Sequence, residues 1–175
     1  MRTLLREKNS GGAVSLCSLN AGVQRYGIDT RKILEVLGDR AIQHVPLAPG
    51  FIGGVMSYRG EVLTVVDLRA LLGLAQRIGE CCVIVLGGSG SSASDDVDLE
   101  RYGLVVDGVG GVVTLSQDIF APNPATLDAV SMALFDGAFQ MSDGLLVQLD
   151  PSRLAPSRLA ASGLFGQTAS AMADV

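Results

Sequence analysis

The reading of residues 81–96, CCVIVLGGSGSSASDD, decides the fold. An apolar run of strand length feeds directly into glycines and serines. If a helix follows, Gly88, Gly90 and Ala93 fit the G-x-G-x-x-A pattern that wraps a pyrophosphate. Asp107, about 20 residues on at the end of YGLVVD, then stands where a dinucleotide fold places its ribose-binding acid. If a strand follows instead, the same residues are a hairpin connection and the chain is mainly β.

Physical chemistry favours the hairpin. A dinucleotide site needs a helix whose first N–H groups meet the phosphates. The helix would be SSASDDVDLER, which has only Val97 and Leu99 to bury, two residues apart and off any helical stripe. Asp95, Asp96 and Asp98 would crowd negative charge beside a dianion. A Walker-type loop fails sooner, since no Lys follows the glycines. Gly, Ser and Asp suit a solvated connection.

Comparison of the chain with itself points the same way. RYGI at Arg25 to Ile28 returns as RYGL at Arg101 to Leu104. An apolar strand and a turn precede each: AVSLCSLNAG in the first case, CCVIVLGG in the second. A strand ending in Asp and a short helical piece follow each, VLTVVDLRALLG at Asp67 and LLVQLDPSRLA at Asp150. The chain reads as two similar units of roughly 75–85 residues.

Composition bounds the function. The 175 residues are 48% hydrophobic, enough for a real core, and 22 glycines favour short strands and turns over long helices. The net charge is −5 and no block of Lys or Arg occurs, which argues against nucleic acid and against an anionic membrane surface. The three cysteines, Cys17, Cys81 and Cys82, are odd in number, and the adjacent pair suits a strand better than a disulfide. A reducing cytoplasm is the simplest setting. The opening MRTLLREKNSGG lacks the apolar core of a signal peptide, and no apolar run approaches the roughly 20 residues of a membrane span.

Short strands are expected at 14–19, 25–28, 42–45, 54–58, 61–66, 81–86, 102–106, 112–115, 132–141 and 145–149. Arg59-Gly60 and Ser142-Asp143-Gly144 mark hairpin turns, and Gly110-Gly111 a bulge. Residues 29–37 are either extended or one or two turns of helix. Asp67 caps a short helix at 68–72, and Pro151 after Asp150 opens another that Pro156 limits or restarts. The predicted architecture is two small five-stranded β-barrels side by side, sharing an apolar seam, with short helices and a C-terminal helical segment. One subdomain takes 13–64 plus a late strand near 145–150, and the other takes 65–144. Residues 1–12 and 167–175 are expected to be flexible.

Catalytic motifs are missing. His44 is the single histidine, and the cysteines are adjacent or far away, so His and Cys do not recur at the usual metal-ligand spacing. Ser57, His44 and Asp67 contain the residue types of a triad but no nucleophile elbow. Asp67 and Asp150 read as caps.

Residues 25–74, RYGIDTRKILEVLGDRAIQHVPLAPGFIGGVMSYRGEVLTVVDLRALLGL, also resemble the CheW-like domain of bacterial chemotaxis. The YGID strand start, the P…P-x-F-I-x-G-V segment, the RG turn and the VVDLR strand end carry the resemblance. YGLVVDGVGGVVTL through DGLLVQLDPSRL extends it over 13–160. The resemblance implies SH3-like barrels. It also implies a non-catalytic, cofactor-free adaptor between a CheA-type histidine kinase and the cytoplasmic tip of methyl-accepting chemoreceptors, recruited from the cytoplasm to membrane-associated arrays. Carried over by position, its partner contacts are Ile33 and Glu35 in KILEVL, Gly54 in IGGV and Arg59 in YRG. Leu37 shares a face with Ile33 in either conformation, and Met56 lies in the apolar cluster with Phe51, Ile52 and Val55. Core packing is the default for that cluster, and an exposed anchor is the alternative. The chain departs from the family's usual N-L-R-G by S-Y-R-G, with Tyr58 in place of Leu.

Overall fold

A computed structural model describes residues 12–88 and 99–165. Both hairpin strands flanking the opening stretch are present. The strand β6 (Cys82–Gly88) pairs antiparallel with β7 (Leu99–Val106), from Cys82 opposite Val106 to Gly88 opposite Leu99. An antiparallel neighbour rules out the β-α-β crossover that a dinucleotide site requires. Gly90 and Ala93 lie outside the described residues. The expected flexible ends lie outside them too, apart from Gly12.

The remaining strands are β1 (Ala13–Ala21), β2 (Gln24–Asp29), β3 (Ile33–Leu37), β4 (Ile52–Tyr58), β5 (Glu61–Asp67), β8 (Gly108–Ser116), β9 (Phe120–Pro122), β10 (Phe135–Met141) and β11 (Gly144–Leu149). They form a six-stranded sheet in the order β8-β1-β2-β11-β10-β9 and a five-stranded sheet in the order β3-β6-β7-β5-β4. Each order runs linearly from edge to edge, without closing into the barrel that was expected. The two orders are the same pattern. In both, a hairpin lies beside a parallel strand, β2 against β11 and β7 against β5, followed by that strand's own antiparallel partner.

The internal repeat therefore exists, but its halves are exchanged. The first repeat supplies β1 and β2 to one sheet and β3, β4 and β5 to the other; the second repeat does the reverse. The predicted division at residue 64 does not follow the sheets. The five-stranded sheet spans 33–106, and the six-stranded sheet is assembled from the chain on either side of it.

Alternation accounts for the core. Along β6, Val83 and Val85 point into one cluster with Leu37, Met56, Leu63, Val65 and Val105. Ile84 and Leu86 point into the opposite cluster with Tyr102, Leu104 and Val106. An uninterrupted apolar run is thus a strand buried on both faces. The second cluster is the predicted seam, because Leu19, Tyr26, Ile28 and Leu149 enter it from the six-stranded sheet. That sheet keeps a separate inner core of Leu16, Leu115, Phe139 and Leu146.

Several expectations change in detail. The strand predicted at 42–45 is a single bridge, Gln43 to Val55. Residues 29–37 resolve into a 3₁₀ turn, Thr30–Lys32, capped by Asp29, and then β3. The strand predicted at 132–141 begins too early. The Asp128 carboxylate accepts from Ser131 N–H and caps a helix α2 (Ala129–Leu134), which buries Leu134 before β10 starts. The short β9 carries no alternation to reveal it. Asp67 caps α1 (Leu68–Leu71) as expected, accepting from the N–H groups of Arg69 and Ala70. Pro156 starts α3 (Pro156–Ser162) at its first turn, where a missing N–H costs nothing. Gly110 and Gly111 together face Ser18, the bulge expected there.

The turn 45–48 carries strain. Ala48 N–H donates to the Val45 carbonyl at 3.3 Å, and Leu47 at the third position has φ +63° with its side chain fully exposed. Glycine is the residue that accepts such a φ freely. Leu47→Gly is therefore expected to stabilise the chain by about 1 kcal/mol, seen as a higher denaturant midpoint with an unchanged slope.

Candidate functional site

Five strands curl far enough for the edges of the smaller sheet to meet through side chains. β3 and β4 stand at opposite ends of its strand order. Yet the Tyr58 hydroxyl at the end of β4 donates to Glu35 Oε2 on β3 at 2.8 Å, and Arg59 Nη2 donates to the same oxygen at 3.0 Å. The Arg59 guanidinium lies 5.3 Å from the Tyr58 ring centroid. Arg59 and Gly60 form a two-residue hairpin loop, and both have positive φ, 49° and 81°. Type I′ loops demand this, and arginine adopts it only at a cost. The Arg59 side chain remains 73% exposed.

Electrostatics follow the contacts. The Tyr58 hydrogen bond, with Arg59 and Arg40 nearby, holds the Glu35 carboxyl below the usual carboxylate range. The same hydrogen bond pushes the Tyr58 phenol up. Leu34 and Val36, the neighbours of Glu35 on β3, are both more than 40% exposed. The outcome is a rim where the paired Glu35 and Arg59 stand beside two accessible aliphatic side chains.

The six nominated residues divide. Glu35 and Arg59 come together on the rim. Ile33 is half-buried and packs on the shared seam, away from Leu37 rather than on one face with it as expected, because the register slips between Ile33 and Glu35. Leu37 and Met56 lie inside the curled sheet beside Tyr58, the packing role that was the default for the apolar cluster. Gly54 is buried, with φ +140°, and a Cβ there would run into the backbone carbonyl of Gln43 and the side chain of Ile42. The space beside Gly54 belongs to its own chain rather than to a partner. Gly137 repeats this arrangement in the other sheet, facing the Ala121 carbonyl.

Tyr58, Leu34 and Val36 were not nominated. Tyr58 was visible as a departure from the family pattern, but nothing in the sequence tied it to Glu35, 23 residues away. In a strand whose non-acidic residues are all aliphatic, no alternation shows which face reaches solvent.

Asp107, the would-be ribose ligand, has another role. Its carboxylate takes Arg69 through Nε and Nη2 at 2.8 and 2.9 Å, Arg77 Nε at 2.9 Å and the Gly22 N–H at 2.7 Å. These bonds, Arg69 foremost, hold it far below the usual carboxylate range. Asp107 sits at the chain's crossing from β7 to β8, so it ties both sheets, α1 and the 74–80 connection to one point. His44 and Asp67 line one exposed depression, but Asp67 is already engaged by α1. Among the described residues, no group of three or more His, Cys, Asp or Glu is placed to hold a metal ion, and no helix is long and apolar enough to cross a membrane.

Comparison with known proteins adds four findings. The CheW-like domain model matches residues 16–158. The chain is 23% identical over 143 residues to the chemotaxis protein CheW of Treponema pallidum, covering 82% of each. It is 34% identical over 122 residues to the protein FrzA of Myxococcus xanthus, covering 69% of this chain and 71% of that one. Its fold is similar to the crystal structure of the scaffolding protein TtCheW from Thermoanaerobacter tengcongensis, with a TM-score of 0.67, 23% identity, and coverage of 79% of this chain and 90% of that chain.

Proposed function

This chain belongs to the CheW-like domain family, and on that premise we propose that it is a non-catalytic adaptor coupling a CheA-type histidine kinase to methyl-accepting chemoreceptors. It works in the cytoplasm, recruited to membrane-associated receptor arrays, and takes no cofactor. One surface docks a barrel domain of the kinase and another docks the helical hairpin of a receptor tip. Each contact is weak alone, and simultaneous engagement raises the effective concentration of the other. The names of the relatives support this reading.

The observation that carries it is the Glu35–Tyr58–Arg59 rim beside exposed Leu34 and Val36. It offers a planar cation with open donors next to apolar surface, the combination from which interface anchors are made. Arg59 is the informative position because its backbone and side chain pull in opposite directions. Arg59→Gly relieves the left-handed φ and is expected to stabilise the fold by about 1 kcal/mol, while removing the docking cation. Pull-down and calorimetry with the kinase and a receptor fragment from the same genome should show binding lost in this more stable variant. A variant that binds both partners as the parent does would remove the rim from the interface. Failure of the parent to bind either partner well above tens of micromolar would remove the adaptor reading itself.

A further inference from the structure

Both hydrogen bonds to Glu35 land on one oxygen. Oε2 accepts from Tyr58 and from Arg59, which leaves Oε1 without a donor among the described residues. A carboxylate and a guanidinium left to themselves prefer two parallel N–H···O bonds, one to each oxygen. Here that fork is not closed. Tyr58 is 7% exposed and packed in the inner core with Leu37, Met56 and Leu63, so its hydroxyl is a donor on a fixed ring. It holds the carboxylate turned toward β4. Arg59, tethered over the Tyr58 ring by its left-handed backbone, reaches Glu35 with one N–H only. Of the five N–H donors an arginine carries, the other four are left for something else.

We propose that Tyr58 is a positioning residue of this rim: by occupying Glu35, its hydroxyl keeps the Arg59 guanidinium open for a carboxylate on the docked partner. The partner segment it fits is an acidic side chain on a helix whose apolar neighbours rest on Leu34 and Val36. Arg59 itself, 73% exposed and with one N–H committed to Glu35, is the group that suits an acidic visitor. Removing the hydroxyl lets Glu35 swing onto Arg59 as a fork, and the partner must then break that pair to bind. The proposal rests on the rim being a docking surface.

The test uses the full chain and a soluble helical-hairpin fragment of a chemoreceptor from the same genome. Tyr58→Phe keeps the ring and is expected to weaken binding roughly tenfold, the scale of one charge-assisted hydrogen bond. Combining it with Arg59→Ala should add nothing to the loss from Arg59→Ala alone. Glu35→Gln in the Tyr58→Phe background should restore affinity, because a neutral amide cannot form the competing ion pair; a loss of packing would not be rescued this way. Without any partner, NMR should show slower rotation about the Arg59 Cζ–Nε bond in Tyr58→Phe than in the parent. If Tyr58→Phe binds and rotates as the parent does, the proposal is overturned while the docking surface stands. It is also overturned if affinity falls but neither Glu35→Gln rescue nor slowed rotation appears. If the parent does not bind the hairpin, the docking reading fails, and unslowed rotation would separately deny the hold of Tyr58 on the pair.

Discussion

Replacing Gly54 by alanine is expected to cost about 3–5 kcal/mol, the sum of a left-handed φ and a backbone clash. The added methyl would have to displace the Gln43 carbonyl, which is hydrogen-bonded to Val55 N–H at 2.9 Å and anchors the segment before β4. Against a total stability of about 5–15 kcal/mol, much of the folded population would be lost. Partner binding would fall with it, and a binding assay alone would mistake Gly54 for a contact residue. Thermal melting separates the two. A fall in Tm of roughly 10 °C is expected for Gly54→Ala and for Gly137→Ala, its counterpart in the other sheet, whereas Arg59→Gly should raise Tm. A Gly54→Ala protein that melts like the parent yet loses its partners would return that space to the partner.

Asp107→Ala is the second large effect. It leaves Arg69 and Arg77, both largely buried, facing each other without their shared carboxylate, and frees the Gly22 N–H. Breaking such an arrangement from one side costs about 3 kcal/mol, a drop in Tm of roughly 6–12 °C. The pH dependence follows in sign. Asp107 is held below its unfolded value, so its contribution is complete above the ordinary carboxylate pKa, about 3.9, and is lost as pH falls toward its folded value. Stability curves of the parent and of Asp107→Asn should therefore differ by a constant amount near neutrality and converge below about pH 4. A constant gap down to pH 2 would show that the carboxylate is not what stabilises the junction.

What could be read from residues alone was local. CCVIVL announced a strand because both of its faces are apolar, and the short RYG echo revealed two copies of one unit. Asp67 declared its helix because a carboxylate followed by N–H-bearing residues has one economical use. The exchange of strands was not legible, since the same hairpins and the same alternation serve either pairing. The choice between them lies in contacts such as Val65 with Gly103, nearly forty residues apart. The candidate site was half legible. Resemblance pointed to Glu35 and Arg59, but Gly54 was carried over with them although it is buried, and for Met56 the sequence left packing and anchoring both open, because burial depends on how far a sheet curls. Tyr58 looked like a mere departure until its hydroxyl was seen on Glu35.

The crossed arrangement of the two repeats carries one more implication. Cut in the connection between α1 and β6, either half would keep its own hairpins but lose the strands that join them, with β1 parted from β8, β2 from β11, β3 from β6 and β5 from β7. Such a fragment would find its missing neighbours in another molecule like itself, two chains trading arms. The present polypeptide is that couple joined end to end.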